Sequence, residues 1–439
     1  MTPISPEKAK KYGICTVISA WLAVFCLFGY RSSFSIMQAQ IIADTGWSTT
    51  QVSLGYCIMM TVYAITAFFS GSLVDKKGCR PTYAIGAVCC FLGFFLTSIV
   101  NVTSPSGYAL YLFTYGLFAG VGTGMLWVSS TISCRKWYVG ARYGTMWGLA
   151  FMGAPMAQLL LTLVLKPILT NMGWQMGMKV LSIIMAVLLI IASVIARKLP
   201  EHYCDEKGNP RGPFGEAAKK AGPTKVWGVG EAFKTYPVWG TIFAFLFAAM
   251  AEFLVWSQVV SYFQTDMGLS LNVASNIYIV IGIAGIFSMP LTGKFSDALV
   301  KKLGNERKAR RIMLLIAPIC GAIGVILVLT KSIVLCCIAM VILAIYWGIE
   351  PGGCAGYAGT VYGGKTLGRI WGLATLIVMG IGPSCGTFFG AWFKDFFGTF
   401  KISLIFALCC YILSLIFAIS LPNKTKWEKL PVSGESEAK

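Results

Sequence analysis

The sequence has 439 residues, of which 56% are hydrophobic and 12% charged, and its mean hydropathy is +0.73. A water-soluble chain carries about twice that charged fraction, so a single aqueous core is excluded and lipid is the expected solvent. The net charge of +19 would suit nucleic acid, but Lys and Arg stand in short clusters between apolar runs, which is how membrane topology is encoded.

In lipid every backbone N–H and C=O must be satisfied within its own segment, so long apolar runs read as helices. A polar, basic start, Met1 to Tyr12, lacks the organisation of a cleavable leader. Six runs of about 20 residues, each enough for roughly 30 Å of hydrocarbon, are predicted near 14–38, 51–72, 82–101, 107–131, 143–166 and 176–196. The polar stretch from Arg197 to Pro237 contains Gly208-Asn209-Pro210 and Gly212-Pro213 and reads as a linker, with a short surface helix near Val229 to Lys234. Six further runs are predicted near 237–262, 272–294, 312–331, 333–358, 369–390 and 402–421, and a polar tail follows Pro422. The expected division is an N-terminal six-helix half at 1–196, a cytoplasmic linker at 197–236, a C-terminal six-helix half at 237–422 and a cytoplasmic tail at 423–439.

With both termini inside, 30 of the 36 Lys and Arg residues fall in cytoplasmic segments. Lys166, Lys179, Lys331, Lys394 and Lys401 fall outside, and Arg31 alone lies well within a helix. This positive-inside bias supports an even helix count in a multi-pass protein of the cytoplasmic membrane. The fifteen cysteines include Cys89-Cys90, Cys336-Cys337 and Cys409-Cys410 inside apolar runs, without metal-like spacing, and read as small packing residues.

The halves repeat each other. Asp44-x-Gly46-x-Ser48 matches Asp266-x-Gly268-x-Ser270, and Asp75 matches Asp297, both at an offset of 222. Tyr138-x-Gly140 and Trp147-Gly148-Leu149 match Tyr362-x-Gly364 and Trp371-Gly372-Leu373 at an offset of 224. Two six-helix units related by an axis along the membrane normal are a transporter plan.

The segment Gly71-Ser72-Leu73-Val74-Asp75-Lys76-Lys77-Gly78-Cys79-Arg80 resembles the loop signature of the major facilitator superfamily, and Gly293-Lys294-Phe295-Ser296-Asp297, followed by Arg307, Arg310 and Arg311, is a looser copy. A carboxylate at a helix end can pair with basic side chains and with a facing helix N-terminus. Asp75, Arg80, Arg142 and Asp297 are therefore expected to gate the cytoplasmic side, the alternative being plain topology signals. Lys136-Trp137-Tyr138-Val139-Gly140-Ala141-Arg142-Tyr143-Gly144 and Gly363-Gly364-Lys365 through Gly368-Arg369-Ile370-Trp371-Gly372 resemble the oxalate/formate antiporter and monocarboxylate transporter group, and Gly46-Trp47-Ser48 fits its first external loop. The resemblance implies an all-α membrane protein of twelve helices in two pseudo-symmetric halves, with a central cavity lined by helices 1, 4, 7 and 10. It also implies alternating access and a small organic acid as cargo.

Three ionisable residues lie inside the predicted spans: Arg31, Glu252 and Glu350. Each costs about 3 kcal/mol or more at mid-bilayer, so such groups usually face a cavity. All three fall on helices that the resemblance assigns to the cavity. Arg31 suits a substrate carboxylate, which a guanidinium can hold bidentately; it could instead snorkel to the outer surface. Glu252 and Glu350 could carry a coupling proton, receive a cationic substrate group or form a structural ion pair with Arg31. Tyr115, Trp127, Trp256, Gln258, Tyr262 and Tyr346 could supply further contacts, with Asn276 and Tyr278 on helix 8 as weaker candidates.

The group it resembles commonly keeps a basic residue in helix 8 or 11. Here Ser288 and Met289 occupy the first region, and 370–390 contains no Lys or Arg. A dicarboxylate that needs two cations is therefore disfavoured. One arginine with two glutamates fits a monocarboxylate moved with a proton or by exchange, or a zwitterion such as a betaine or amino acid. No Walker A pattern or nucleophile–base arrangement stands out, and the single histidine, His202, lies in the linker. No cofactor, metal or enzymatic activity is expected, and a monomer in the bilayer suffices. A membrane sensor on the same fold is the remaining alternative.

Overall fold

The computed structural model describes residues 2–101, 104, 106–138, 143–206, 208–209, 212, 214, 227–362 and 364–424, with side chains at 72, 75, 135, 143, 144, 201 and 364–369 outside the description. Helix α1 (Pro6–Thr45) starts on Ser5, whose hydroxyl accepts the Lys8 N–H, with proline at its first position. It stops at Gly46, which takes φ 70° and donates back to the Ile42 carbonyl. Its 40 residues rise about 60 Å, twice the hydrocarbon thickness, so both ends stand clear of lipid. Helix α2 (Thr49–Lys77) begins on a capping box between Ser48 and Gln51. Helix α3 spans Cys79–Ser98. Helix α4 is built from Gly107–Tyr111, a π-helical stretch Leu112–Phe118 and Ala119–Trp137.

The next apolar run, Thr145–Ile195, has 51 residues. As one helix it would rise about 77 Å, far more than a bilayer needs. Gly173 breaks it, at φ 79° and ψ 173°, a left-handed conformation that favours glycine. Tyr143–Phe151 and the part of Gly153–Ile195 before Gly173 form α5; residues 174–195 form α6. Eleven long apolar runs among the described residues thus contain twelve spans, the number expected from hydropathy.

The linker is more structured than its composition suggests. Tyr203–Cys204 pairs in parallel with Thr2–Pro3, and Phe214 bridges to Tyr138 and stacks on Trp137. A short helix, Val229–Ala232, lies where one was expected. The second half comprises α7 (Tyr236–Thr265), α8 (Leu271–Leu303), α9 (Glu306–Leu329), α10 (Ile333–Tyr362), α11 (Gly364–Phe397) and α12 (Lys401–Ser420). Ser270 and Asn305 cap α8 and α9 as Ser5 caps α1.

Large apolar side chains cover the outside, among them Phe69, Val88, Val194, Phe287 and Phe396. In water these would be an aggregation hazard; in lipid they are the solvated surface of a multi-pass membrane protein. Polar residues and glycines turn inward and let helices approach closely. The two halves meet where α2 packs on α11, α5 on α8, and α1 on α7. The bundle has a basic face, where α1 begins and α2 ends among Lys and Arg, and an opposite face. All fifteen cysteines are free.

Candidate substrate site

The central cavity lies between α1, α2, α7 and α10. It measures about 10 Å³ and is lined by Phe28, Arg31, Tyr56, Glu252, Phe253, Trp256 and Trp347. That is room for about one water molecule. Arg31 and Glu252 are 5% and 7% exposed, so the pocket is closed to bulk solvent.

Among the described residues no carboxylate is in ion-pair contact with Arg31. Its guanidinium carbon sits 4.6 Å from the Phe28 ring centre, 4.7 Å from Phe253 and 5.2 Å from Tyr63. Nε donates to the Tyr30 hydroxyl at 3.2 Å, and Nη2 is buried with no hydrogen-bond partner among the described residues. Neither glutamate forms an ion pair with it among the described residues. Aromatic faces compensate part of a buried cation's lost hydration, but an unpaired buried charge remains costly. The arrangement is therefore prepared for an anion.

Glu252 lines the same cavity, and its Oε2 accepts the Tyr346 hydroxyl at 3.1 Å. Glu350 lies farther along α10, accepts the Cys354 thiol at 3.3 Å, and keeps a buried Oε2 with no hydrogen-bond partner among the described residues. Towards the basic face the cavity is roofed by aromatic rings. Trp347 packs on Phe28 and Trp256 at 5.3 Å each, and Phe28, Phe151, Trp127 and Trp147 continue the layer. Towards the opposite face it is closed by a polar network across the halves. Gln38 donates to Ser53 at 2.9 Å and accepts from Ser261 at 2.8 Å, and Gln258 donates to Ser53 at 3.3 Å.

The structure brings Arg31, Glu252 and Trp256 together in the cavity lining, sets Tyr346 against Glu252 and leaves Glu350 outside that lining, and places Trp127 in the roof and Gln258 in the polar network. Tyr115 lies elsewhere, stacked on Tyr111 at 5.5 Å inside the first half. Tyr262 also lies elsewhere, donating to the Val328 carbonyl at 3.2 Å. On helix 8, Asn276 accepts from Lys166 at 2.8 Å and the Tyr278 carbonyl accepts from Gln158 at 3.0 Å, both contacts across the halves. Of the gating residues, Arg80 donates to the Ala196 and Val194 carbonyls at the end of α6. Asp297 receives Arg310 at 3.2 Å. The Asp75 side chain and all of Arg142 lie outside the described residues.

Sequence reasoning did not single out Phe28, Tyr56, Tyr63, Phe253 or Trp347. Among 28 Phe, 18 Tyr and 13 Trp no single ring stands out. A usable signal existed: Phe28, Trp256 and Trp347 each stand one helical turn from an intramembrane charge, where helix neighbours meet.

The chain is 24% identical over 383 residues to a protein named MFS-type transporter dbaD from Emericella nidulans, covering 84% of this chain and 78% of that one. It is 23% identical over 338 residues to Monocarboxylate transporter 10 of Mus musculus, covering 74% and 64%. It is 22% identical over 382 residues to the Probable sulfoacetate transporter SauU of Cupriavidus necator, covering 82% and 86%. In fold it is similar to a crystal structure of a bacterial homologue of the human lysosomal transporter Spinster, with a TM-score of 0.62, 15% identity, and coverage of 93% and 97%. The model of the Major Facilitator Superfamily matches residues 20–379; with the twelve spans in two repeated halves, the chain belongs to that superfamily and is a transporter, not an enzyme.

Proposed function

We propose that the protein moves a small organic acid with a single carboxylate across the cytoplasmic membrane by alternating access, driven by protons or by exchange. The observation that carries this reading is the buried Arg31 guanidinium, with an unpartnered Nη2 and no ion-paired carboxylate. A carboxylate entering the cavity supplies the missing charge and accepts from that nitrogen. Likeness to proteins named as monocarboxylate and sulfoacetate transporters supports an anionic cargo. The basic face then lies in the cytoplasm with both termini, and the Asp75, Arg80, Arg142 and Asp297 region gates that side. Glu350, buried with a free Oε2, is assigned the coupling proton, and Glu252 is its alternate.

A second reading has its own support. Glu252, Trp256 and Trp347 line the same cavity as Arg31, and a carboxylate among aromatic faces suits a substrate ammonium. A betaine or amino acid would then lie between Arg31 and Glu252.

Purified protein in liposomes tests both readings. Saturable counterflow of small monocarboxylates is expected, and Arg31→Lys should raise the half-saturating concentration about tenfold, because an ammonium loses the bidentate geometry. Unaltered counterflow in Arg31→Lys and Arg31→Gln alike would remove Arg31 from the site. Glu252→Gln separates the readings: it spares monocarboxylate exchange but abolishes exchange of a zwitterion. Glu350→Gln should keep exchange yet lose acceleration by an inward proton gradient; retained acceleration would move the coupling role to Glu252.

A further inference from the structure

Away from the central cavity, an apolar groove of about 360 Å³ runs between α3 and α6 on the surface that faces lipid. Ala84, Ala87 and Ala186 hollow it out, and Val88, Ile190 and Val194 form its rims, exposed at 59%, 55% and 67%. The groove ends at the basic face against a cluster of cations. Arg80, in the first turn of α3, donates to the Ala196 carbonyl at 2.9 Å and to Val194 at 3.4 Å, while the Ser193 hydroxyl donates back to the Arg80 carbonyl at 2.9 Å. Those bonds pin the guanidinium at the mouth of the groove. Arg197 donates to Val194 at 3.3 Å and its guanidinium carbon sits 5.1 Å from the Tyr12 ring centre, with Nε buried and without a hydrogen-bond partner among the described residues. Gly78 packs against the backbone of Lys198, which brings Lys76 and Lys77 alongside. Among the described residues none of these five cations forms an ion pair with a carboxylate.

The two parts share one geometry. Arg80 and Leu92 are separated by about 18 Å of helix rise, against about 15 Å for one leaflet of a 30 Å hydrocarbon core. A free phosphate would use the cations and leave the groove empty. A zwitterionic headgroup would set its ammonium against a cluster of cations. A lipid with net negative charge uses both parts.

We propose that the α3–α6 groove binds an anionic phospholipid, with its phosphodiester held by Arg80, Arg197 and Lys198 and one acyl chain lying along Ala84, Ala87 and Val88. The site is independent of what the central cavity carries. The test titrates full-length purified protein with phosphatidylglycerol, phosphatidylcholine or glycerol phosphate and reads thermal stability. Phosphatidylglycerol should raise the melting temperature saturably, and the other two should not. Arg197→Gln with Lys198→Gln should weaken the phosphatidylglycerol effect by roughly thirtyfold in apparent affinity. Ala84→Phe, which fills the groove and leaves every cation in place, should weaken it as well. If the charge variant loses the effect and Ala84→Phe keeps it, lipid is adsorbing to a basic surface and the groove site is overturned. Equal stabilisation by glycerol phosphate or phosphatidylcholine overturns it too.

Discussion

A guanidinium that has left water must recover its hydration from somewhere, and around Arg31 that recovery is incomplete. Arg31 Nη2 and the Tyr63 hydroxyl are both buried without a close hydrogen-bond partner among the described residues, and the Tyr63 ring centre lies 5.2 Å from the guanidinium carbon. Orphaned polar groups of this kind are rare in folded proteins, and a carboxylate with two acceptor oxygens would answer both. Tyr63→Phe is therefore expected to change the melting temperature of the empty protein little, because the hydroxyl makes no close hydrogen bond among the described residues. Substrate affinity should fall about five- to tenfold, the worth of one hydrogen bond to a charged group. Equal loss in both measurements would make Tyr63 a packing residue. This pairing also marks how far the sequence could be read. Arg31, Glu252 and Glu350 stand out because a charge in lipid is expensive. Tyr63 is one tyrosine among 18, and only the approach of α2 to α1 distinguishes it.

Helices were legible from hydropathy, and their ends were not. The predicted spans at 51–72 and 369–390 stop where polar residues begin, but α2 and α11 run to Thr49–Lys77 and Gly364–Phe397. Backbone hydrogen bonding continues into the interface after hydropathy has fallen. The break at Gly173 falls between the predicted spans 143–166 and 176–196, but the residue that makes it was not marked, because a positive φ leaves no trace in hydropathy. Close approach is likewise a property of two elements together. A Cβ on Gly386 would overlap the Met250 carbonyl oxygen, where α11 crosses α7 within the second half. Backbone cannot yield as a side-chain tip can, so Gly386→Ala should cost about 1–3 kcal/mol by overpacking, read as a lowered melting temperature. Gly282 is the contrasting case. Its Cβ would lie 3.0 Å from the Pro155 carbonyl oxygen, across the contact between the halves. Gly282→Ala should therefore change exchange rates more than melting temperature, and the opposite ranking of the two variants would mean that α5 and α8 do not move apart.

Closure on the opposite face depends on contacts between halves that had no sequence signature, because each joins residues more than a hundred positions apart. Asp395, near the end of α11, accepts the backbone N–H groups of Thr49 and Thr50 and the Thr50 hydroxyl at the start of α2. A carboxylate at a helix N-terminus gains from the unpaired N–H groups and the positive end of the dipole. On the other flank Lys166 of α5 donates to Asn276 of α8. The twofold repeat of the sequence thus yields two clamps on one face, chemically different but in corresponding places. Between them the Gln38, Ser53, Gln258 and Ser261 network closes the path to the cavity. Alternating access requires these bonds to break together, so weakening one should shift the conformational balance without touching the cavity. Asp395→Ala removes the acceptor for three donors, in a setting partly screened by solvent, and should favour opening of this face by roughly five- to tenfold. Spin labels on the exposed ends of α2 and α11 read the outcome directly. The long-distance population should grow in Asp395→Ala, and grow further when Lys166→Ala is added. An unchanged distance distribution would mean that the polar network alone holds the face shut, with the carboxylate capping α2 without restraining it.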